Sequence, residues 1–177
     1  MLKDSKDRRR FIKKLLGAIA GVFAIASVAA SAFWWCWGRS REALFRRFAR
    51  LRELSINRPK LVSIPDSSAQ TGPGAPQISV WLVRRAEDAV DAYSTICPHA
   101  GGPLRCADTE FVCPKHGARF DLQGHRLPTG TNDRPNPAPR AMDRLPVQCV
   151  MDAADGLVVL VKYQQFLTGT PKQLPVP

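Results

Sequence analysis

The chain has 177 residues, room for one domain of ordinary size with appendages, and a net charge of +11. That charge is not evenly spread: residues 1–58 hold fourteen Lys or Arg against four Asp or Glu (+10), and residues 59–177 hold twelve against eleven (+1). A nucleic-acid-binding domain carries its positive stripe on the fold itself, so this distribution argues against nucleic acid as a partner.

Residues 1–14 are a short basic region, expected in the cytoplasm, containing Asp7-Arg8-Arg9-Arg10-Phe11-Ile12-Lys13. Two arginines, a spacer, Phe, an apolar residue and Lys resemble the twin-arginine export signal, an address for proteins exported folded. Residues 15–37 carry no charge; as a helix they would span ~34 Å at 1.5 Å per residue, enough to cross a bilayer. Phe33, Trp34, Trp35 and Trp37 crowd the far end, where aromatics sit at a lipid–water boundary, so a retained transmembrane helix is expected. Ala30-Ser31-Ala32 has the small-residue spacing of a signal-peptidase site and keeps cleavage as the competing reading. Basic residues flank the span on both sides, so charge alone does not orient it. The twin-arginine match does: a single-pass protein of the bacterial inner membrane, N-terminus cytoplasmic and head periplasmic.

Residues 38–59 read as a basic amphipathic helix and hinge. Leu44, Phe48 and Leu51 fall on one helical face with Arg46, Arg47 and Arg50 around it, which fits a helix lying on lipid headgroups or packed on a partner subunit. Arg58-Pro59 ends it, and Ser55 to Pro59 is the expected hinge.

Residues 60–163 alternate short apolar runs with turn residues, an all-β pattern. Strands are predicted at Lys60–Ile64, Gln77–Val83, Ala89–Ile96, Glu110–Cys113, Arg119–Leu122, Leu145–Met151 and Leu157–Tyr163. Gln123-Gly124 and Asp155-Gly156 mark turns, and Asp66 to Pro76 and Pro128 to Pro139 mark loops. Residues 164–177 hold too much proline to continue a sheet and are expected to be an extended tail.

Two runs between these strands carry the chemistry: Cys97-Pro98-His99-Ala100-Gly101-Gly102 and Cys113-Pro114-Lys115-His116-Gly117-Ala118. Each offers one thiolate and one imidazole in a stretch whose Gly and Pro can turn the backbone around an ion. Four N/S donors suit a structural zinc site. A zinc finger, however, usually pairs Cys with Cys and His with His, and here each loop is a mixed pair. That arrangement also allows both Cys to bind one metal and both His another.

The second pattern resembles the Rieske [2Fe-2S] family, and the likeness extends to Gly117, Phe120, Asp121 and the later Asn136-Pro137-Ala138-Pro139. The resemblance implies an antiparallel β-sandwich head with two cluster-binding loops. It also implies a [2Fe-2S] cluster whose inner iron is held by Cys97 and Cys113 and whose outer iron is held by His99 and His116. A quinol-oxidising member would add a disulfide between the ligand loops and a Ser and a Tyr hydrogen-bonded to the cluster sulfurs. Here those positions hold Gly102, Lys115, Ala118 and Phe120. Each lost hydrogen bond, at about 1–2 kcal/mol, lowers a one-electron potential by several tens of millivolts. Cys106 and Cys149 are left either as a disulfide or as two packed thiols.

With an anchor and an external head, the resemblance implies a one-electron carrier in a membrane quinol:cytochrome c oxidoreductase of the cytochrome bc type. Its partners would be a cytochrome b subunit with its quinol site and a cytochrome c. The alternative is an exported Rieske small subunit of a molybdenum oxidase, or a ferredoxin-like carrier. The chain holds three His, and with His99 and His116 assigned no mononuclear iron site of two His and a carboxylate can be built. This rules out the catalytic subunit of a ring-hydroxylating oxygenase.

Overall fold

The computed structural model describes residues 45–66 and 76–176. The basic region 1–14, the twin-arginine motif, the apolar span 15–37 and most of the loop from Asp66 to Pro76 lie outside the described residues. Among the described residues no helix is long and apolar enough to cross a membrane.

The head is all-β, built of three antiparallel sheets. The first orders β1 (Phe45–Arg50), β10 (Gly156–Lys162) and β9 (Val147–Asp152); the second orders β2 (Lys60–Pro65), β3 (Gln77–Arg84), β4 (Val90–Ser94) and β8 (Arg144–Leu145). These two share one core, in which Phe48, Ala49, Val159 and Val161 meet Ile78, Val80, Leu82, Ala92 and Leu145. The third sheet, β5 (Arg105–Ala107), β6 (Glu110–Val112) and β7 (Arg119–Asp121), carries the ligand loops.

β3 is the hinge between the two cores. Successive side chains of a strand point to opposite faces, so Ile78, Val80 and Leu82 enter the first core while Trp81 and Val83 enter a second with Tyr93, Phe111 and Phe120. Alternation therefore marks only half of this strand's buried surface. Pro146 divides the single predicted strand 145–151 in two. With no N–H to give a ladder, it sits where the chain leaves β4's side in the second sheet (Leu145 opposite Ala92) for β10's side in the first (Val147 opposite Val161).

The predicted amphipathic helix is corrected over its described part. Phe45–Arg50 is a strand paired with β10, followed by one 3-10 turn at Leu51–Glu53. A β-bulge between Arg47 and Ala49 turns Phe48 and Ala49 inward together, and the 3-10 turn then buries Leu51. Core residues consequently recur at a spacing of three, which imitates a helix. The arginines read as facing headgroups are paired within the head: Arg46 with Asp66 (3.1 Å), Arg47 with Asp155, and Arg50 with Asp155 (2.6 Å). The Arg47 guanidinium holds the Asp155 carboxyl below its usual range.

The predicted hinge is also pinned. Leu54 is buried, its carbonyl accepts from Arg84 Nη1 (3.2 Å), and the Asn57 N–H donates to the Arg84 carbonyl (2.8 Å). The tail is not extended either. Leu167 N–H donates to Leu174 O and Val176 N–H to Gln165 O, both 2.9 Å, which folds residues 165–176 into a closed loop. Cys106 and Cys149 are free thiols in different sheets.

Candidate metal centre

The two ligand runs fold alike. In the first, Cys97 N–H donates to Gly102 O (2.8 Å) and Gly101 N–H to Cys97 O (3.0 Å); in the second, Cys113 N–H donates to Ala118 O and Gly117 N–H to Cys113 O, both 2.8 Å. Each is a tight turn closed four and five residues after its cysteine. Each needs a left-handed residue at the fourth, which Gly101 (φ +70°) and Gly117 (φ +73°) supply. The repeat Cys-Pro-x-x-Gly was present in the sequence at 97–101 and 113–117, but as a structural device it was not recognised there.

These twin turns bring all four predicted donors together in two layers. Cys97 and Cys113 are each 1% exposed and share a core with Ala118, Phe120 and Ala138, their thiols within hydrogen-bonding reach of each other. His99 and His116 stand at the surface with ring centroids 4.9 Å apart and planes at 75°. His116 is exposed and His99 half-buried. His99 Nδ1 is buried with no hydrogen-bond partner, a costly state for a polar nitrogen unless it is a donor to a metal.

Burial pushes the Cys97 thiol up to about 11, against the backbone N–H groups of His99 and Ala100, which pull it down. Metal binding displaces that proton. A sulfur pair behind a nitrogen pair fits two bridged irons in unequal surroundings. His125, 74% exposed and bonded through Nδ1 to Asp121 (3.1 Å), stands apart as a surface residue.

A third loop, residues 128–138, closes over the second ligand run. Thr131 N–H donates to Gly117 O (2.9 Å), and a side chain on Gly117 would put its Cβ 2.0 Å from Thr131 Oγ1. Asn136 knots this loop: its buried amide donates to Arg119 O (2.6 Å) and Leu127 O (2.9 Å), and its Oδ1 accepts from Ala138 N–H (3.1 Å). In the sequence Asn136 stands out only as part of the Asn136-Pro137-Ala138-Pro139 run. It is not among the positive-φ residues, and its side chain is what the position uses. The loop forms one wall of an open hollow of about 520 Å³ beside the two imidazoles, lined also by Lys115, Thr131, Asn132 and Arg134.

Ala118 and Phe120 are completely buried and offer no hydroxyl, and Gly102 faces Lys115, its ideal Cβ 3.2 Å from Lys115 Cβ.

Residues 55–141 match the family model described as the Rieske [2Fe-2S] domain. No curated protein matches the chain. Among solved structures, the cyanobacterial plasma membrane Rieske protein PetC3 from Synechocystis PCC 6803 is similar at 22% identity and a TM-score of 0.40, over 58% of this chain and 86% of that one. The apo quaternary ammonium Rieske monooxygenase CntA aligns at 18% identity and 0.45, over 72% and 33%. Dicamba monooxygenase aligns at 23% and 0.41, over 67% and 32%. The chain thus spans about a third of the length of each monooxygenase.

Proposed function

Because the chain carries a Rieske [2Fe-2S] domain and is therefore an electron carrier, we propose that Cys97 and Cys113 hold its inner iron and His99 and His116 its outer one. We propose further that it is the iron–sulfur subunit of a cytochrome bc-type quinol:cytochrome c oxidoreductase. When bound, the cluster would supply one reversible electron step, with a proton taken up at an imidazole on reduction and given back on oxidation. The observation that carries the reading is the imidazole pair at the surface, with His116 exposed beside an open hollow and both thiols behind it in the core.

The chain's own residues then have separable tasks. The twin turns fix the donors, and the third loop shields the second run from water on one side. The hollow leaves His116 open to a quinol site on a cytochrome b subunit and afterwards to a cytochrome c. In this reading the head is periplasmic, exported by the twin-arginine route and anchored by residues 15–37 in the bacterial inner membrane. With Leu54 to Asn57 pinned to β3, that stretch is not the pivot of a head movement.

A second reading, an exported Rieske small subunit of a molybdenum oxidase or a ferredoxin-like carrier, is favoured by Ala118, Phe120 and the absent sulfur bridge. Purification from membranes separates the two. Co-isolation of a cytochrome b, with quinol:cytochrome c activity abolished by His116→Ala, supports the first. A molybdopterin subunit in its place, or activity unchanged in an assembled His116→Ala complex, overturns it.

A further inference from the structure

The two ligand runs are not held in the same way. The second is gripped by the third loop through Gly117 and Thr131. The first has no such neighbour in the 128–138 segment, and no disulfide ties it to the second, since the position facing Lys115 is Gly102 and the described cysteines are free. What covers it is the C-terminal loop. Gly169 N–H donates to the carbonyl of Pro98 (2.8 Å), the residue between the two donors of that run. A Cβ on Gly169 would lie 3.6 Å from His99 O, and one on Gly101 3.8 Å from Thr168 Cγ2.

That loop is itself fastened by one side chain. Arg140 is 8% exposed and forms a two-pronged pair with Asp143, 3% exposed: Nε to Oδ1 and Nη2 to Oδ2, both 2.9 Å. Its other N–H groups go to the tail, Nη1 to Thr170 O (2.6 Å) and Thr170 Oγ1 (3.0 Å), and Nη2 to Leu167 O (2.8 Å). Every N–H of the guanidinium is used, a fixed fork that a lysine cannot reproduce. The same segment reaches the stem of the first run from the other side, because Asp143 O accepts from Ser94 N–H (2.9 Å) and Ser94 Oγ from Ile96 N–H (3.1 Å).

We propose that Arg140 is a positioning residue for the cluster: through Thr170 and Leu167 it holds the C-terminal loop down on the Pro98–His99 backbone and so fixes the first ligand run. The proposal rests on the ligand assignment above and goes beyond it, since it gives the tail a part in that assignment. An arginine and a folded tail do from outside what a covalent tie between the ligand runs would do from within.

The test compares the cluster-loaded full chain with Arg140→Gln, Arg140→Lys and a chain ending at Phe166, which leaves in place the Arg140–Asp143 pair and the Phe166 side chain packed on the first core. Backbone hydrogen exchange is read at Cys97, Gly101 and Leu104 and, as an internal reference, at Val158 to Val161 of β10. Loss of the visible spectrum under an iron chelator is followed alongside, and so is the reduction potential. Arg140→Gln and the shortened chain are expected to speed exchange in the ligand run by about tenfold, the scale of one lost hydrogen bond, with the β10 amides unchanged. Cluster loss accelerates with it, the potential rises as water reaches His99, and Arg140→Lys falls between. Unchanged exchange in the ligand run of the shortened chain overturns the proposal, as does equal acceleration in β10, which would make Arg140 a general stabiliser. A chain that binds no iron sinks the ligand assignment instead, so the two failures are distinguishable.

Discussion

Gly102 and Lys115 are placed by the two turns so that a cysteine at each could bridge the ligand runs. An ideal Cβ on Gly102 lies 3.2 Å from Lys115 Cβ, against ~3.8 Å in an ordinary disulfide. Closing a loop of this length, residues 102–115, removes unfolded-state entropy worth about 3 kcal/mol. The short separation, together with the 3.1 Å approach of that Cβ to Cys113 Sγ, costs about 1–2 kcal/mol of strain. The net gain for Gly102→Cys with Lys115→Cys is therefore about 1–2 kcal/mol, or about 3–8 °C in Tm for a head of this size. The assay is the melting temperature of the oxidised double variant against the same protein with the engineered bond selectively reduced, the bridge being identified by peptide mass spectrometry. Failure of the two cysteines to pair, or a bridge that lowers Tm, would refute the apposition of the two runs on which the site is built.

Asn136→Ala removes three hydrogen bonds and strands the Leu127 carbonyl, while the Arg119 carbonyl keeps the Leu127 N–H; a loss of about 2–4 kcal/mol is expected in chemical denaturation. Ala118→Ser places a hydroxyl in a fully buried position behind the twin turns and is expected to raise the potential by about 40–90 mV, at ~59 mV per tenfold, in a redox titration. Asp155 is depressed by Arg47, so its contribution is present above the ordinary carboxylate value and is lost as pH falls through the lower folded value. Exchange at the β1–β10 pairing is expected to accelerate below about pH 4, and Asp155→Asn to abolish that pH dependence.

Local signals in the sequence were enough for β2, β3, β4, β6, β7 and β10, each an apolar run bounded by turn residues, and the mixed Cys/His pairing singled out the four residues that the twin turns bring together. What escaped depends on partners distant in the chain. β1 read as a helix because a bulge and a 3-10 turn give it a spacing of three, and its place is set by β10, more than a hundred residues away. Alternation in β3 marks Ile78, Val80 and Leu82, whereas Trp81 and Val83 are buried only because a third sheet covers the opposite face. Nothing in the sequence pattern singles out Arg140, and Asn136 stands out only as part of Asn136-Pro137-Ala138-Pro139. The value of each lies in backbone acceptors that no periodicity reveals. Proline predicted that the tail would leave the sheet, but not that it would return to the first ligand run.

In the proposed site Cys97, Cys113, His99 and His116 share two bridged irons. Iron and acid-labile sulfide analysis joined to electron paramagnetic resonance of the dithionite-reduced protein tests it most directly. Two irons and two sulfides per chain are predicted, with a rhombic signal of low average g that His99→Cys or His116→Cys would shift. A colourless protein with one zinc per chain and no labile sulfide would contradict the account.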